Sequence, residues 1–175
     1  MEEIVKNINC SAIISTISRL KSDLNRPINL CNKEAVLEYR STLELILEHL
    51  NLLKKEDGLS KPYLHLAIHG MKDRDFEIEI GTLYGKLCSP EIKKWFIEKI
   101  NQYKRRMAID KTFIGDPALL VYRNGEKYGT FNYQGYGNNY NLFQIEICRT
   151  LREKFLPEIV DILSDIIISF NKEFT

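Results

Sequence analysis

Histidine is scarce in this chain, and neither sign of charge dominates it. There are 3 histidines, and 25 Lys and Arg against 24 Asp and Glu leave a formal charge of +1. That balance removes the electrostatic ground for a nucleic-acid partner or an acidic membrane. The one basic cluster, Lys104-Arg105-Arg106, has Glu98 and Asp110 close by and reads as a solvated helix end. None of the four cysteines, Cys10, Cys31, Cys88 and Cys148, forms a CxxC pair, which argues against a zinc knuckle. Spread through a chain large enough not to need staples, they read as free thiols in a reducing cytoplasm. The start, MEEIVKNINC, has acids where a secretory leader carries bases, and no apolar run follows. Ile159 to Phe170 is apolar but too short for a bilayer and broken by Asp161 and Asp165. The expectation is one cytoplasmic domain over residues 1–175, with its own core and no membrane contact.

What is present is a mixture of helical and extended patterns. Residues 11–19 are rich in Ile, Ser and Thr and alternate weakly, which predicts a short strand. From Lys33 to Lys54, apolar residues such as Val36, Leu43, Leu47 and Leu50 recur at three- and four-residue steps. That spacing predicts an amphipathic helix with Asn32 as its N-cap and Glu56-Asp57-Gly58 as its end. PYLHLAIH, residues 62–69, predicts a buried strand, and FEIEIGT, residues 76–82, a strand with Phe76, Ile78 and Ile80 on one face. Ser89-Pro90 opens a helix expected to run to about Arg105. Asn124-Gly125, between residues 118–123 and 127–133, predicts a hairpin turn. Residues 143–151 predict a strand with Phe143, Ile145 and Ile147 opposite Gln144, Glu146 and Cys148, and residues 156–174 a closing helix. Intermixed helices and strands predict a mixed-sheet α/β sandwich.

Chemistry-bearing residues are few. His49 falls on the long helix and reads as a surface residue. His65 and His69 share one strand face but lie about 13 Å apart by strand rise, too far to share one metal. His69 ends its strand just before Gly70, where α/β sheets place ligands, and imidazole there suits a metal or a proton. Glu146 is a carboxylate inside a strand whose other face is apolar, costly to bury unless paired, metal-bound or used. A salt bridge to Arg149 and a general-base role read equally well. In Asp23-Leu24-Asn25-Arg26-Pro27, the arginine fork and the asparagine amide suit a small carboxylate; an Asx-turn with an exposed arginine is the plainer alternative.

Three segments, SRLKSDLNRP (18–27), LHLAIHGM (64–71) with FEIEIGT (76–82), and QIEICRTLR (144–152), come in the order that resembles N-formylglutamate amidohydrolases. That family is similar in fold to zinc carboxypeptidases and aspartoacylases. The resemblance runs from about residue 12 to residue 152. It implies a zinc-carboxypeptidase-like sandwich and a zinc-dependent hydrolase of a linear amide. His69 then looks like a zinc-binding histidine, Glu146 like the base for a zinc-bound water, and Asn25 with Arg26 like the grip on a substrate carboxylate. Arg149 matches a further substrate-binding arginine, with Cys148 where the family has asparagine. Arg19 and Asp23 are weaker candidates for substrate contacts.

The chain departs from that pattern at its beginning. The family's first two metal ligands come from an early His-x-x-Glu-like segment, and this chain has no histidine before His49. A catalytic zinc normally takes three protein ligands. Either an N-terminal portion is missing, or His65, Glu77 or Glu79 substitutes, or metal catalysis has been lost. Two readings follow: a hydrolase of N-formyl or N-acyl amino acids, and a carboxylate-binding module that does no chemistry. Composition also makes the Gly/Asn-rich stretch from Tyr128 to Tyr140 a candidate lid.

Overall fold

Residues distant in the sequence form the middle of the sheet. The computed structural model describes residues 2–8, 10–15, 32–54, 58–128 and 131–175. Strand β6 (Tyr140–Ile147) lies between β1 (Tyr63–Gly70) and β2 (Ile78–Gly81), with β3 (Met107–Ile109) beyond β2. β1 runs parallel to β6, β6 antiparallel to β2, and β2 parallel to β3, so the fold is mixed α/β. Period-two alternation sorts the side chains between the two faces. Phe143, Ile145 and Ile147 join Ile78 and Ile80 on one face, while Tyr140 and Leu142 join a second apolar cluster on the other.

The first face is covered by α1 (Glu2–Asn7), α3 (Pro90–Ile100) and α6 (Leu156–Phe174), through residues such as Ile4, Phe96, Ile166 and Phe170. Ser89 caps α3 by accepting from the Ile92 amide, and Pro90 lies in the first turn, where its missing N–H costs nothing. Phe96 stacks on Phe143 with ring centroids 3.9 Å apart. On the second face, α2 (Lys33–His49) contributes Leu43 and Leu47 beside Leu87, Leu119, Tyr122 and Tyr136. Asn32 caps α2, its side chain accepting from the Ala35 amide at 3.1 Å. Among the described residues, no helix is long and apolar enough to cross a membrane, and Cys10, Cys88 and Cys148 are free thiols.

The local sequence signals misplace several boundaries. Residues 11–15 are not a strand; their neighbours 16–19 lie outside the described residues. α2 stops at His49, earlier than the apolar spacing predicts, because Asn51 turns the chain with φ 56°. α3 stops at Ile100, so the basic cluster is not a helix end; Arg105 bridges Glu77 at 3.5 Å and also pairs with Glu158 at the start of α6. Asn124-Gly125 is not a hairpin turn. Residues 117–120 form a 3-10 turn that leads into α4 (Val121–Asn124), and Gly125 stops the helix at φ 77°. The left-handed conformation that glycine permits serves here as a helix stop. Antiparallel pairing comes one step later, of β4 (Glu126–Tyr128) with β5 (Phe131–Tyr133). Arg149 to Leu151 continue as α5 (Arg149–Lys154) rather than as strand.

Asp110 fastens the far end of the sheet. It follows β3 with φ 49° and accepts from the Thr82 amide at 2.7 Å, the Thr82 hydroxyl, and Lys93 Nζ at 2.7 Å. Burial works to raise its carboxyl pKa, but the Lys93 and Thr82 bonds outweigh burial and hold it below the ordinary value. A depressed folded pKa adds stability that is present above the unfolded value and lost as pH falls through the folded one. Asp110→Asn is therefore expected to cost about 2 kcal/mol at neutral pH. Urea unfolding at pH 7 and below pH 4 checks this: the cost should shrink in acid, and an equal cost at both would refute the charge-based account.

Candidate functional site

Strand register brings the two anchors of the sequence reading side by side. His69 on β1 is the partner of Glu146 on β6, and Glu146 is in turn the partner of Glu79 on β2. Paired residues on neighbouring strands point to the same face, with strands about 4.8 Å apart. His69, Glu146 and Glu79 thus form one polar row across three strands, at the C-terminal ends of β1 and β6. Glu79 is only 1% exposed. Arg74 Nη1 donates to its Oε2 at 3.1 Å, and the Thr112 hydroxyl donates to its other oxygen.

The ground beside the row is built by loops. In the next row, Gln144 on β6 sits opposite Gly81 on β2 and Ala67 on β1. Gln144 Oε1 accepts from the Asp116 amide at 2.8 Å. A Cβ on Gly81 would stand 2.2 Å from the Gly115 nitrogen, so only glycine lets that loop lie against the sheet. Arg152 ties together the strands that carry His69 and Glu146: its guanidinium donates to the carbonyls of Ile147 at 3.1 Å and Met71 at 3.2 Å. Asp73, in the loop after β1, accepts from the Thr150 amide at 2.8 Å and hydroxyl at 2.9 Å. Those bonds, the amide's first, hold its carboxyl below the ordinary value.

The other sequence candidates fall elsewhere. His65 lies two residue pairs along β1 from His69, with the Tyr39 hydroxyl 3.3 Å from Nε2 and the Tyr140 hydroxyl on Nδ1. Both ring nitrogens are engaged, one as donor and one as acceptor in the neutral ring. Burial, with a smaller contribution from the charge of His69, pushes its pKa down to about 4. As placed, His65 is a neutral member of a tyrosine cluster and offers no nitrogen to a metal. Arg149 does not bridge Glu146; its Nε donates to Glu153 at 2.7 Å on the exposed side of α5. β6 is also an inner strand rather than a sheet edge. Arg19, Asp23, Asn25 and Arg26 lie outside the described residues.

The lid expected over 128–140 is corrected where residues are described. Tyr136 and Tyr140 are buried, and the Tyr136 amide donates to the Tyr122 carbonyl at 2.7 Å. Tyr140 begins β6 and Glu146 nearly ends it, about 20 Å apart by strand rise. The aromatic rings fasten this stretch to the core at the opposite end of the strand. A cavity of about 620 Å³ between α2, α6 and the first half of β1 includes His65 in its lining but neither His69 nor Glu146.

Glu79 and Arg74 were not paired by sequence reasoning, although FEIEI carries the same signal as QIEI: a carboxylate alternating with isoleucines. Among the described residues, no group of three or more His, Cys, Asp or Glu side chains is placed to hold a metal ion. Compared with models of protein families, with curated proteins and with solved structures, the chain matches none.

Proposed function

We propose that this chain hydrolyses the amide bond of an N-formyl or N-acyl amino acid, with N-formylglutamate as the type of substrate, on a zinc-carboxypeptidase-like sandwich fold. The observation that carries the reading is the register of His69 against Glu146. Two groups suited to proton transfer stand next to each other at strand ends, where α/β sheets receive ligands. The ordered resemblance of SRLKSDLNRP, LHLAIHGM and QIEICRTLR supports the same assignment.

In this reading Glu146 accepts the proton of the attacking water, a step worth about 10²–10⁴-fold in rate. His69 beside it orients that water, and the proton that Glu146 has taken passes to the leaving amine as the C–N bond breaks. Asn25 and Arg26 hold the substrate carboxylate through a planar, two-bond grip. Zinc, where a site holds it, polarises a carbonyl and acidifies water; the described residues do not complete such a site, and the proton steps above use this chain's own groups.

A second reading is favoured by one feature of the sequence, which has no histidine before His49 and so does not show the family's early His-x-x-Glu-like segment. It keeps the carboxylate pocket and drops the chemistry. The test for both is purified protein assayed with N-formylglutamate, N-acetylglutamate and N-formylmethionine, with and without added zinc, beside metal analysis and thermal shift. Turnover supports the hydrolase. Stabilisation by these compounds without turnover supports the binding module, and neither response removes both.

A further inference from the structure

The geometry points to the open edge of β1 as a docking slot for the extended C-terminal tail of a partner protein, which adds to the sheet as a further strand. This inference stands apart from the hydrolysis reading and uses neither Glu146 nor His69. β1 is the outer strand of its sheet, paired with β6 on one side. The amides of Tyr63 and Met71 donate to Asn139 and Ile147, so the odd-numbered residues between them turn their backbone groups toward β6. Backbone direction alternates along a strand. The N–H and C=O groups of Leu64, Leu66 and Ile68 therefore face away from the sheet, and among the described residues they meet no partner. This stretch of β1 is half-buried, and backbone groups left unpaired away from water are costly. An edge strand is usually blunted by charge, proline or a bulge. YLHLAIHG has no Lys, Arg, Asp, Glu or Pro, and its register with β6 is unbroken.

The cavity of about 620 Å³ beside α2 and α6 lies along that edge. Its lining takes in Tyr63, Leu64, His65 and Leu66 in succession, and Ile68. Successive side chains of a strand point to opposite faces, so a space that touches all of them lies against the edge rather than over one face. One wall is a stripe of α2, with Tyr39, Leu43 and Ile46, and the other is Ile167 and Phe170 of α6. The edge is thus recessed between two helical layers, which keep the edge of a second sheet away and admit a single extended chain. A floor of hydrogen-bonding groups between apolar walls fits a peptide held through its main chain, with apolar side chains on both faces. An acyl chain would leave that floor unpaired. From Tyr63 to Ile68 the slot runs about 17 Å, the length of about six extended residues. Charge sets the direction. Among the described residues, no Asp or Glu side chain lines the cavity, and Lys61 stands just before β1 begins. Lys61 Nζ donates to the Thr175 carbonyl at 3.1 Å, which uses one of its three donors. Antiparallel pairing is slightly the stronger, and it brings the carboxylate end of the peptide to Lys61.

The test uses the full chain and the peptide Ser-Lys-Val-Ile-Val-Ile-Asp, with an N-terminal dye and a free carboxylate, read by fluorescence anisotropy and by amide exchange in NMR. In the free chain the amides of Leu64, Leu66 and Ile68 should exchange fast beside protected amides of His65 and Ala67, and saturating peptide should slow all three. Prolines in place of the central Ile-Val pair should weaken binding about ten-fold or more, because they remove ladder donors. An amidated peptide ending in Lys should bind less tightly than the one ending in Asp, and Lys61→Gln should narrow that difference. Leu66→Pro removes a donor from the open edge while leaving the β6 ladder in place, and should weaken binding as well. If Leu66→Pro does not fold, the wild-type exchange pattern and the peptide series decide. No binding, equal binding of the proline peptide, or three amides already protected in the free chain overturns the assignment. Protection that rises with the concentration of the chain itself makes a second copy the occupant and overturns it too.

Discussion

If the chain hydrolyses N-formylglutamate as proposed, Glu146→Gln is expected to lower the rate by about 10²–10⁴-fold, the usual contribution of a positioned general base. The substitution keeps the shape of the side chain and removes its basicity. Glu146 lies in an inner strand between His69 and Glu79, so its backbone stays held by ladders on both sides. The loss should fall on kcat, with KM nearly kept, because the proton transfer belongs to the transition state rather than to ground-state binding. His69→Ala should lower kcat as well. An unchanged kcat in Glu146→Gln, measured on protein with wild-type thermal stability, would remove Glu146 from the chemistry.

Phe143→Ala is expected to cost about 3–5 kcal/mol of folding stability. Its ring lies at the centre of the sheet, 1% exposed, and stacks on Phe96 of α3 at an interplanar angle of 12°. Phe96 is itself fully buried and contacts Trp95, which packs on Phe170 of α6. Removing the ring leaves a void that α3 and α6 cannot both close over, since α3 is pinned by the Ser89 cap and by Lys93 on Asp110. Urea titration gives the value directly, and a loss under 1 kcal/mol would mean that the sheet and helices repack freely. Phe143→Leu, which keeps most of the volume, should lose less than Phe143→Ala.

The sequence announces elements better than it announces partners. α6 runs from Leu156 to Phe174 as the apolar spacing predicts, and the caps at Asn32 and Ser89 are formed by the expected side chains. Each of these depends on residues within one or two helical turns. The failures have a different origin. Asn124-Gly125 carries a strong turn signal, but glycine's left-handed freedom ends a helix as well as it reverses a strand. The packing of Leu119 and Tyr122 into the second cluster selects the helix. β3 has three residues and, among the described residues, pairs with β2 alone, too little pattern for a periodicity to register. The row of His69, Glu146 and Glu79 was half legible. Alternation set each residue on a face, but which strands are neighbours is a property of the whole chain. Arg74 was hidden for the same reason: its partner is buried under a loop that only the folded sheet brings near.

The pairing of β1 with β6 also fixes when the polar row comes into being. Tyr63 meets Tyr140 and His69 meets Glu146 across an interval that contains β2, α3 and β3. Contacts of such sequence separation form late, because a long loop must be closed before they repay its entropy. During synthesis, His69 leaves the ribosome well before the strand that carries Glu146. No nascent piece shorter than about residue 147 holds the row even in part. The central ladder of the sheet is therefore also the clock of the site: both are completed in one closure.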